Sequence, residues 1–266
     1  MQTSCYICTT CGVQYEPSAT PPDHCPICED ERQYVNPAGQ SWTTLSQINR
    51  QHKNVFELIA PNVYAIYASP SFGIGQRAHL ILSPHGNLLW DCITNIDSST
   101  IAIIEKLGGI KAIAISHPHY YSTIIEWSKS FGHIPIYIHA ADAQWLGRKD
   151  AAIQFWNEPK VILWDEMQLI HCGGHFEGAC VLYAPLGKGA LFTGDTIQVA
   201  PDLKTVSFMY SYPNLIPLPQ KDILYIQQAV NGVPYDAMYG AFGRYIRHDA
   251  KTAMEYSFAR YLKIFE

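Results

Sequence analysis

The 266-residue sequence has few charged residues and no long apolar run. Only 15% of its residues are Asp, Glu, Lys or Arg, against roughly 25% in an average soluble domain. The net charge of -5 offers no basic surface, so we expect neither nucleic acid nor a membrane as a partner. No stretch is apolar enough over the length needed to span a bilayer. With 48% hydrophobic residues, the chain can bury a large core.

We expect no secretory leader, because the stretch MQTSCYICTTCG does not contain a basic segment followed by an apolar one. Five of the eight cysteines fall within the first 28 residues. Cys92, Cys172 and Cys180 occur singly in apolar stretches, where we expect buried free thiols. These features indicate a reducing, cytoplasmic setting.

Two Cys-x-x-Cys pairs near the start of the chain indicate a metal site. Cys8 and Cys11 form the first pair, Cys25 and Cys28 form the second, and thirteen residues separate the pairs. Four thiolates at this spacing can converge on one ion, whose binding would supply much of the folding free energy of so short a segment. A redox dithiol or two disulfides are the alternatives. We predict a four-cysteine knuckle over residues 1–40, with Cys5 as a spare thiol or an exchangeable ligand.

The knuckle resembles both zinc ribbons and rubredoxin in its stretches CGVQYEP and CPIC. The loop between its two cysteine pairs is shorter than that of a rubredoxin, which favours zinc and leaves iron as the alternative. Residues 41–54, which are mostly polar, are predicted to be a linker anchored by Trp42.

From residue 55 onward, apolar runs alternate with amphipathic segments. The runs NVYAIYA, AHLILSP and NLLWDC predict consecutive strands, which strand–helix units then follow, including a helix in AADAQWLGR. The order repeats once, with helices predicted at residues 220–230 and after Asp249. Two sheets packed face to face with helices outside satisfy this order. We therefore predict an α+β fold for this part of the chain.

Four stretches in this part, taken in order, resemble the metallo-β-lactamase superfamily: AHLILSPHGNLLWDC, SHPHYYS, GGHFEGACVLY and LFTGDT. They are distinctive when found together, and the resemblance covers residues 55–266. It implies an αββα sandwich with a metal site at one edge, built from loops at strand ends. A knuckle followed by such a domain also resembles a group of uncharacterised hydrolase-like bacterial proteins.

The resemblance implies a first metal position with three histidines and one bridging carboxylate. His117, His119, His175 and Asp195 stand at the corresponding positions of this sequence. Three imidazoles that leave one coordination position open are typical of a catalytic zinc, and a His-His-Asp set also suits ferrous iron. We therefore expect one zinc or iron ion here, with Asp195 as its fourth ligand or as a general base.

The second metal position of the superfamily has lost its own ligands in this sequence. Its aspartate corresponds to Tyr121 and its histidine to Ser122, while its late histidine falls near Ala241 or Phe242. Tyrosine and serine are largely protonated at neutral pH and are poor ligands for zinc. The resemblance therefore implies a single-metal centre.

Several residues around the implied centre have two interpretations. Tyr120 and Tyr121 are candidates either for donating a hydrogen bond to a developing oxyanion or for core packing. Residues 208–219, FMYSYPNLIPLP, are expected to form a substrate wall or a homodimer interface. Among the remaining histidines, His248 is a candidate replacement ligand, and His79 and His139 are expected to support the site or the core.

Three functions fit these residues. The first is a metal-dependent hydrolase that acts on a small-molecule ester, thioester, lactone or amide. The second is a non-enzymatic metal-binding scaffold. The third is a mononuclear iron oxygenase that resembles the persulfide dioxygenases of the superfamily. We rank the hydrolase first, and the loss of the second metal position argues against β-lactams and nucleic acids as its substrates.

Overall fold

The computed structural model describes residues 3–266. Its N-terminal segment forms a three-stranded antiparallel sheet with the strand order β2-β1-β3. The elements of this segment in chain order are the strands β1 (Ser4–Cys8) and β2 (Gln14–Ser18), the helix α1 (Pro26–Glu29), the strand β3 (Trp42–Thr44) and the helix α2 (Leu45–Gln51).

The four cysteine sulfurs of the knuckle come together as their spacing predicts. The Sγ atoms of Cys8 and Cys28 are 3.6 Å apart, and so are those of Cys11 and Cys25. A tetrahedral zinc ion with Zn–S bonds of about 2.3 Å would separate its sulfur ligands by about 3.8 Å. The hydroxyl of Tyr15 lies 3.1 Å from the Cys25 sulfur, where it can donate to a thiolate. The knuckle therefore has the geometry of a four-thiolate metal site.

The segment predicted to be a linker contains regular structure. Strand β3 pairs with β1, and Thr44 at its end caps helix α2. The Thr44 hydroxyl accepts a hydrogen bond from the Gln47 backbone N–H, while the Gln47 side chain accepts one from the Thr44 N–H. Neither element was predicted, because a three-residue strand is specified by its pairing partner and this capping box lies in a mostly polar stretch without apolar periodicity.

Hydrogen bonds and a shared apolar cluster fix the knuckle to the rest of the protein. The Gln14 N–H donates to the Ser122 carbonyl at 3.0 Å, and the Thr94 hydroxyl donates to the Gly12 carbonyl at 3.0 Å. Gly12 has φ +81°, and a Cβ there would lie 2.3 Å from the Thr94 hydroxyl oxygen, so this close approach requires glycine. All four cysteines pack in one apolar cluster with residues of the following sheet.

The first large sheet has seven strands in the linear order β10-β9-β8-β7-β6-β5-β4. Strands β4 to β7 are antiparallel to their neighbours, and β7 to β10 are parallel. The elements in chain order are β4 (Lys53–Ala60), β5 (Val63–Ser69), β6 (Ala78–Ile81), β7 (Leu88–Trp90), α3 (Ser98–Lys106), β8 (Ala112–Ala114), a 3₁₀ turn (Pro118–Tyr120), α4 (Ile124–Ser130), β9 (Ile136–His139), a 3₁₀ segment (Ala140–Trp145) and β10 (Ile153–Trp156).

The second large sheet has six strands in the order β11-β12-β13-β14-β19-β20, and two short ribbons, β15-β16 and β17-β18, precede its last two strands. Its elements in chain order are β11 (Lys160–Ile162), a 3₁₀ turn (Trp164–Glu166), β12 (Gln168–His171), β13 (Cys180–Ala184), β14 (Ala190–Gly194), β15 (Gln198–Val199), β16 (Val206–Ser207), β17 (Met209–Ser211), β18 (Ile216–Pro217), α5 (Gln220–Val230), β19 (Ala237–Gly240), β20 (Tyr245–Ile246), α6 (Ala250–Leu262) and a closing 3₁₀ turn (Lys263–Phe265).

The buried apolar side chains form three clusters, one in each successive layer of the core. The central cluster joins the two sheets and contains Trp90, Leu182 and Phe192. One outer cluster contains residues of α3, α4 and the knuckle, and the other contains residues of α5 and α6. This layering confirms the predicted α+β, αββα sandwich with an N-terminal four-cysteine knuckle. Within the described residues, no helix has the length and apolarity needed to cross a membrane.

The helix predicted in AADAQWLGR forms only a 3₁₀ segment. In an α-helix, the Asp142 carbonyl would accept a hydrogen bond from the backbone N–H four residues later. Here it accepts one from the Tyr121 hydroxyl at 2.9 Å. The Asp142 carboxylate accepts a second hydrogen bond, from the Gly178 N–H at 2.8 Å. These tertiary contacts replace the hydrogen bonds that an α-helix would make.

The Cys25→Ser variant is expected to lose the ion of the knuckle and to unfold at a lower temperature, because a serine hydroxyl does not replace a zinc thiolate and metal binding is coupled to folding. Elemental analysis and a thermal melt measure the two effects. Cys5→Ser is the matched control, since Cys5 lies outside the sulfur cluster and should keep the full metal content. Unchanged metal content in Cys25→Ser would contradict the four-thiolate site.

Candidate metal centre

Ends of strands from both large sheets meet at one edge of the sandwich and carry four polar side chains. His117 follows β8, and His119 lies in the 3₁₀ turn after it. His175 lies in the loop between β12 and β13, and Asp195 directly follows β14. The structure therefore brings together the four residues that the sequence resemblance assigned to the first metal position.

These four side chains form a tight cluster. One ligand atom from each of the four lies within 4.8 Å of the others. The Asp195 Oδ2 atom is 3.6 Å from the Nε2 atom of His117 and 4.0 Å from the Nε2 atom of His175. The ring centroids of His117 and His119 are 5.0 Å apart, and those of His117 and His175 are 4.9 Å apart. Such separations suit side chains that share one cation rather than side chains that bond to one another.

The nitrogens that face the centre of the cluster have no hydrogen-bond partner. The unpaired atoms are Nε2 of His117, both ring nitrogens of His119 and Nε2 of His175. In contrast, Nδ1 of His175 lies 3.1 Å from the Met209 carbonyl, and Nδ1 of His117 lies 2.8 Å from the Ser116 hydroxyl. Because a carbonyl can only accept, Nδ1 of His175 carries the proton and Nε2 presents a lone pair. Buried polar atoms are normally paired, so these orphaned nitrogens fit a bound metal ion.

The charges in the cluster also fit a metal. Burial lowers the pKa of His119 well below its ordinary value and, together with the neighbouring His117, lowers that of His175 to about 4. Burial alone would raise the pKa of Asp195, but its charge interactions with the nearby rings of His117 and His175 lower it on balance. His119 and His175 are therefore neutral and Asp195 is ionised at neutral pH, the protonation states that metal ligands need.

A second layer of contacts orients His117. The carboxylate of Asp91 accepts a hydrogen bond from the Ser116 backbone N–H at 2.7 Å, and Ser116 in turn contacts the His117 ring. Gly194, with φ +51°, allows β14 to approach this serine, because a Cβ there would lie 2.4 Å from the Ser116 hydroxyl oxygen. Hydrogen bonds to the far nitrogen of a ligand histidine commonly fix its orientation.

The residues at the second metal position are engaged elsewhere. The Tyr121 hydroxyl donates to the Asp142 carbonyl, and the Ser122 hydroxyl donates to the Cys92 carbonyl at 3.3 Å. The Ser122 backbone carbonyl accepts from the Gln14 N–H of the knuckle. The structure therefore does not bring Tyr121 to the metal centre as a hydrogen-bond donor, and its contacts are those of a core residue. Phe242, near the position of the late histidine, lines the cleft over the cluster.

Tyr120 lies closer to the centre. Its ring stands edge-on to His117, with centroids 5.3 Å apart, and its buried hydroxyl has no hydrogen-bond partner. Burial raises its pKa well above the ordinary value, so it remains a neutral phenol. Tyr120 therefore packs against a candidate ligand and retains an unused donor.

The other three histidines singled out from the sequence lie outside the cluster. His79 is buried among aromatic rings, with its centroid 5.4 Å from that of Phe192. His139 stacks on His171 at a centroid distance of 4.2 Å. His248 is exposed, with Nδ1 3.6 Å from the Asp236 carboxylate. The interpretation of His248 as a replacement ligand is therefore not supported by its position.

A cleft of about 300 Å³ opens over the candidate metal centre. His119, His175 and Asp195 form its floor, and Tyr212 and Pro213 belong to its wall. These two wall residues come from the segment 208–219. The Tyr212 hydroxyl donates to the Asp195 backbone carbonyl at 3.1 Å, so this wall is tied to a candidate ligand.

Two residues of the centre were not singled out in the sequence. The Phe176 ring contacts all three candidate ligand histidines, at centroid distances of 5.7, 5.1 and 5.2 Å. Arg32, from the knuckle segment, stacks on the same phenylalanine with its guanidinium carbon 4.0 Å from the ring centroid. Arg32, Gln33 and Tyr34 also line the cleft. Because Arg32 lies in the charged run EDER, the sequence gives no signal that separates it from solvated surface charge.

Comparisons with known proteins agree with this fold. No family model matches the chain. The uncharacterised protein YmaE of Bacillus subtilis (strain 168) is 46% identical over 263 residues, which are 97% of this chain and 96% of that protein. The metallo-β-lactamase FIM-1 from Pseudomonas aeruginosa, solved in its mono-zinc form, matches with a TM-score of 0.55 and 16% identity over 77% of this chain and 92% of its own. TTHA1623 in a di-iron-bound form matches with a TM-score of 0.50 and 18% identity over 69% and 96%.

The His117→Ala variant is expected to lose the ion of the histidine cluster and to keep that of the knuckle, because the two ligand sets share no residue. Elemental analysis of the purified protein measures the change as a fall from two ions per chain to one. The matched control is His248→Ala, which removes an exposed histidine outside the cluster. Equal metal content in His117→Ala and the unmodified protein would reject the assigned ligands.

Ser116→Ala is expected to weaken metal binding at the histidine cluster about 10-fold to 100-fold, because the His117 ring loses the hydrogen bond that fixes its orientation. Competition with a chromophoric chelator measures the affinity. Ser99→Ala, an exposed serine in helix α3, provides the control. An affinity that does not change would show that Ser116 has no part in positioning the ligand.

Proposed function

We propose that this chain, which belongs to the same family as YmaE and shares the fold of metallo-β-lactamases, is a single-metal hydrolase of a small-molecule ester, thioester, lactone or amide. The observation that carries the proposal is the set of buried, unpaired imidazole nitrogens around Asp195. Three neutral imidazoles and one carboxylate hold a divalent ion while leaving room for water or substrate, which is typical of a catalytic site.

We infer a single metal ion from the residues that occupy the position where the superfamily holds its second metal. Tyr121 and Ser122 replace the carboxylate and the imidazole there, and both are engaged in contacts with the core and the knuckle. Within the described residues, the remaining group able to hold a metal is the four-cysteine knuckle. We therefore assign one ion to the histidine cluster and one to the knuckle. The cluster suits zinc or iron, and the four thiolates suit zinc, with iron as the alternative.

A bound zinc or iron ion would lower the pKa of a water molecule and polarise a substrate carbonyl. The protein itself supplies positioning. His117 and His175 are held by the Ser116 hydroxyl and the Met209 carbonyl, so their Nε2 atoms point to one place. The Asp195 Oδ2 atom completes the set, while Oδ1 lies 3.4 Å from the Gln198 amide nitrogen. Asp195 is thereby placed to act as a ligand and to accept a hydrogen bond from a water at Oδ1.

The size of the cleft supports a small substrate. Its volume of about 300 Å³ is at the lower end of the range for small-molecule sites. The rings of Phe176 and Tyr212 lie 5.2 and 5.8 Å from the ring of His175. Tyr120 keeps an unused hydroxyl beside His117, but it is buried and does not line the cleft, so we assign it to packing rather than to contact with the substrate.

The test combines metal counting with turnover. Protein loaded with zinc or iron is expected to contain two ions per chain and to hydrolyse at least one member of a panel of nitrophenyl esters, thioesters, lactones and anilides. His119→Gln should reduce that hydrolysis at least about 100-fold, because it removes one of three imidazole ligands, while the exposed-site variant His248→Ala should keep it. Full metal content with no hydrolysis would reject the proposal in favour of a scaffold, and oxygen uptake by the iron form would favour the oxygenase.

A further inference from the structure

The knuckle segment extends a cationic side chain into the cleft of the sandwich. Arg32 lies three residues after helix α1 and lines the cleft together with His119, His175 and Asp195. Its Nη1 atom is 3.4 Å from the His175 carbonyl, on the chain segment that carries a candidate metal ligand. Among the described residues that line this cleft, Arg32 is the one lysine or arginine. Arg32 therefore supplies a permanent positive charge in the cleft, as a second metal ion would have done.

The guanidinium is fixed in one orientation. Its Nε and Nη2 atoms donate to the two oxygens of Asp30, at 2.5 and 2.9 Å. Its flat face covers Phe176 at 4.0 Å and lies 5.2 Å from the ring centroids of Trp145 and Tyr210. Only 11% of the side chain is exposed. A planar fork held by a bidentate carboxylate and stacked on aromatic rings loses little further conformational freedom when it binds a ligand.

This arrangement leaves one edge of the guanidinium for a ligand. Asp30 occupies the Nε and Nη2 edge, while Nη1, which carries two N–H groups, has one long contact to the His175 carbonyl. Nη1 of Arg32 is thus the donor that the guanidinium keeps available beside the metal ligands.

We propose that Arg32 is the substrate-anchoring residue of this site and that it binds a carboxylate of the substrate through Nη1. The inference rests on the proposed hydrolase function and names the substrate class, an ester, thioester, lactone or amide that carries a carboxylate near the scissile carbonyl. A carboxylate, with one negative charge, matches the one edge of the guanidinium that Asp30 leaves free, because Asp30 already balances part of the positive charge of Arg32.

With Arg32 as the anchoring residue, the knuckle segment contributes a side chain directly to substrate binding. Arg32 follows Cys28 by four residues, and the sulfur cluster fixes the segment between them. The same guanidinium covers Phe176, whose ring contacts all three histidine ligands. An ion bound by the four cysteines would therefore hold the anchoring residue in place, and the cleft is complete only with the N-terminal segment docked.

The first test compares two esters of equal chain length, 4-nitrophenyl hemisuccinate and 4-nitrophenyl butyrate, with the spontaneous rates subtracted. The unmodified protein is expected to prefer the hemisuccinate. Arg32→Gln should lower kcat/KM for the hemisuccinate about 10-fold to 100-fold, mainly through KM, because a charge-assisted hydrogen bond is lost, and should change butyrate hydrolysis far less. Arg32→Lys should restore part of the preference. Arg50→Gln, an exposed arginine on helix α2, is the matched control for charge.

The second test does not require turnover. Calorimetric titration of the zinc-loaded protein with succinate should show binding that weakens about 10-fold in Arg32→Gln and is unchanged in Arg50→Gln. Metal content and melting temperature of each variant show that it is folded and loaded. If both esters are hydrolysed and their ratio is the same in the unmodified protein and Arg32→Gln, the anchoring role is overturned while the hydrolase function stands. If neither these esters nor any member of the wider panel is hydrolysed but succinate binding depends on Arg32, the anchoring role stands and the hydrolase function fails.

Discussion

The central constraint of this structure is the burial of imidazole nitrogens that have no partner within the protein. His117, His119 and His175 are each at most 2% exposed, and Asp195 is 4% exposed. A buried polar atom without a partner destabilises a fold by about 1–3 kcal/mol, so unpaired nitrogens on three neighbouring rings require compensation. A metal ion provides it, and the contacts to the outer nitrogens of two rings show that the orphaned atoms are directed inward.

The rest of the architecture serves this cluster. Two sheets supply strand ends at one edge, and Gly194 permits the close approach of β14 to Ser116. The knuckle packs in the same apolar cluster as helix α4 and binds the carbonyl of Ser122, next to the position where the superfamily would hold a second ion. The backbone at the position that the resemblance assigned to a second metal thus serves as a docking surface for the N-terminal segment. The cleft that results is lined by residues of both parts of the chain.

Part of this could be predicted from local pattern and part from a resemblance. Cysteine pairs at metal spacing predict the knuckle, and His117 and His119 follow an apolar run, whereas His175 and Asp195 were assigned through the resemblance to the metallo-β-lactamase superfamily. The direction of the Tyr121 hydroxyl could not be predicted, since it depends on a carbonyl about twenty residues away. Nor could the place of Arg32 be predicted, because it depends on how the knuckle docks against Phe176. Contacts of this kind leave no periodic or compositional trace in a sequence.

The most direct test of this account is an anomalous-difference map from a crystal of protein supplied with zinc. The account predicts one peak enclosed by His117, His119, His175 and Asp195, and a second peak among the four knuckle sulfurs. A pair of peaks about 3.5–4 Å apart at the histidine cluster, as in two-metal enzymes, would contradict the single-metal centre. A histidine cluster with no peak at all would contradict the metal site itself.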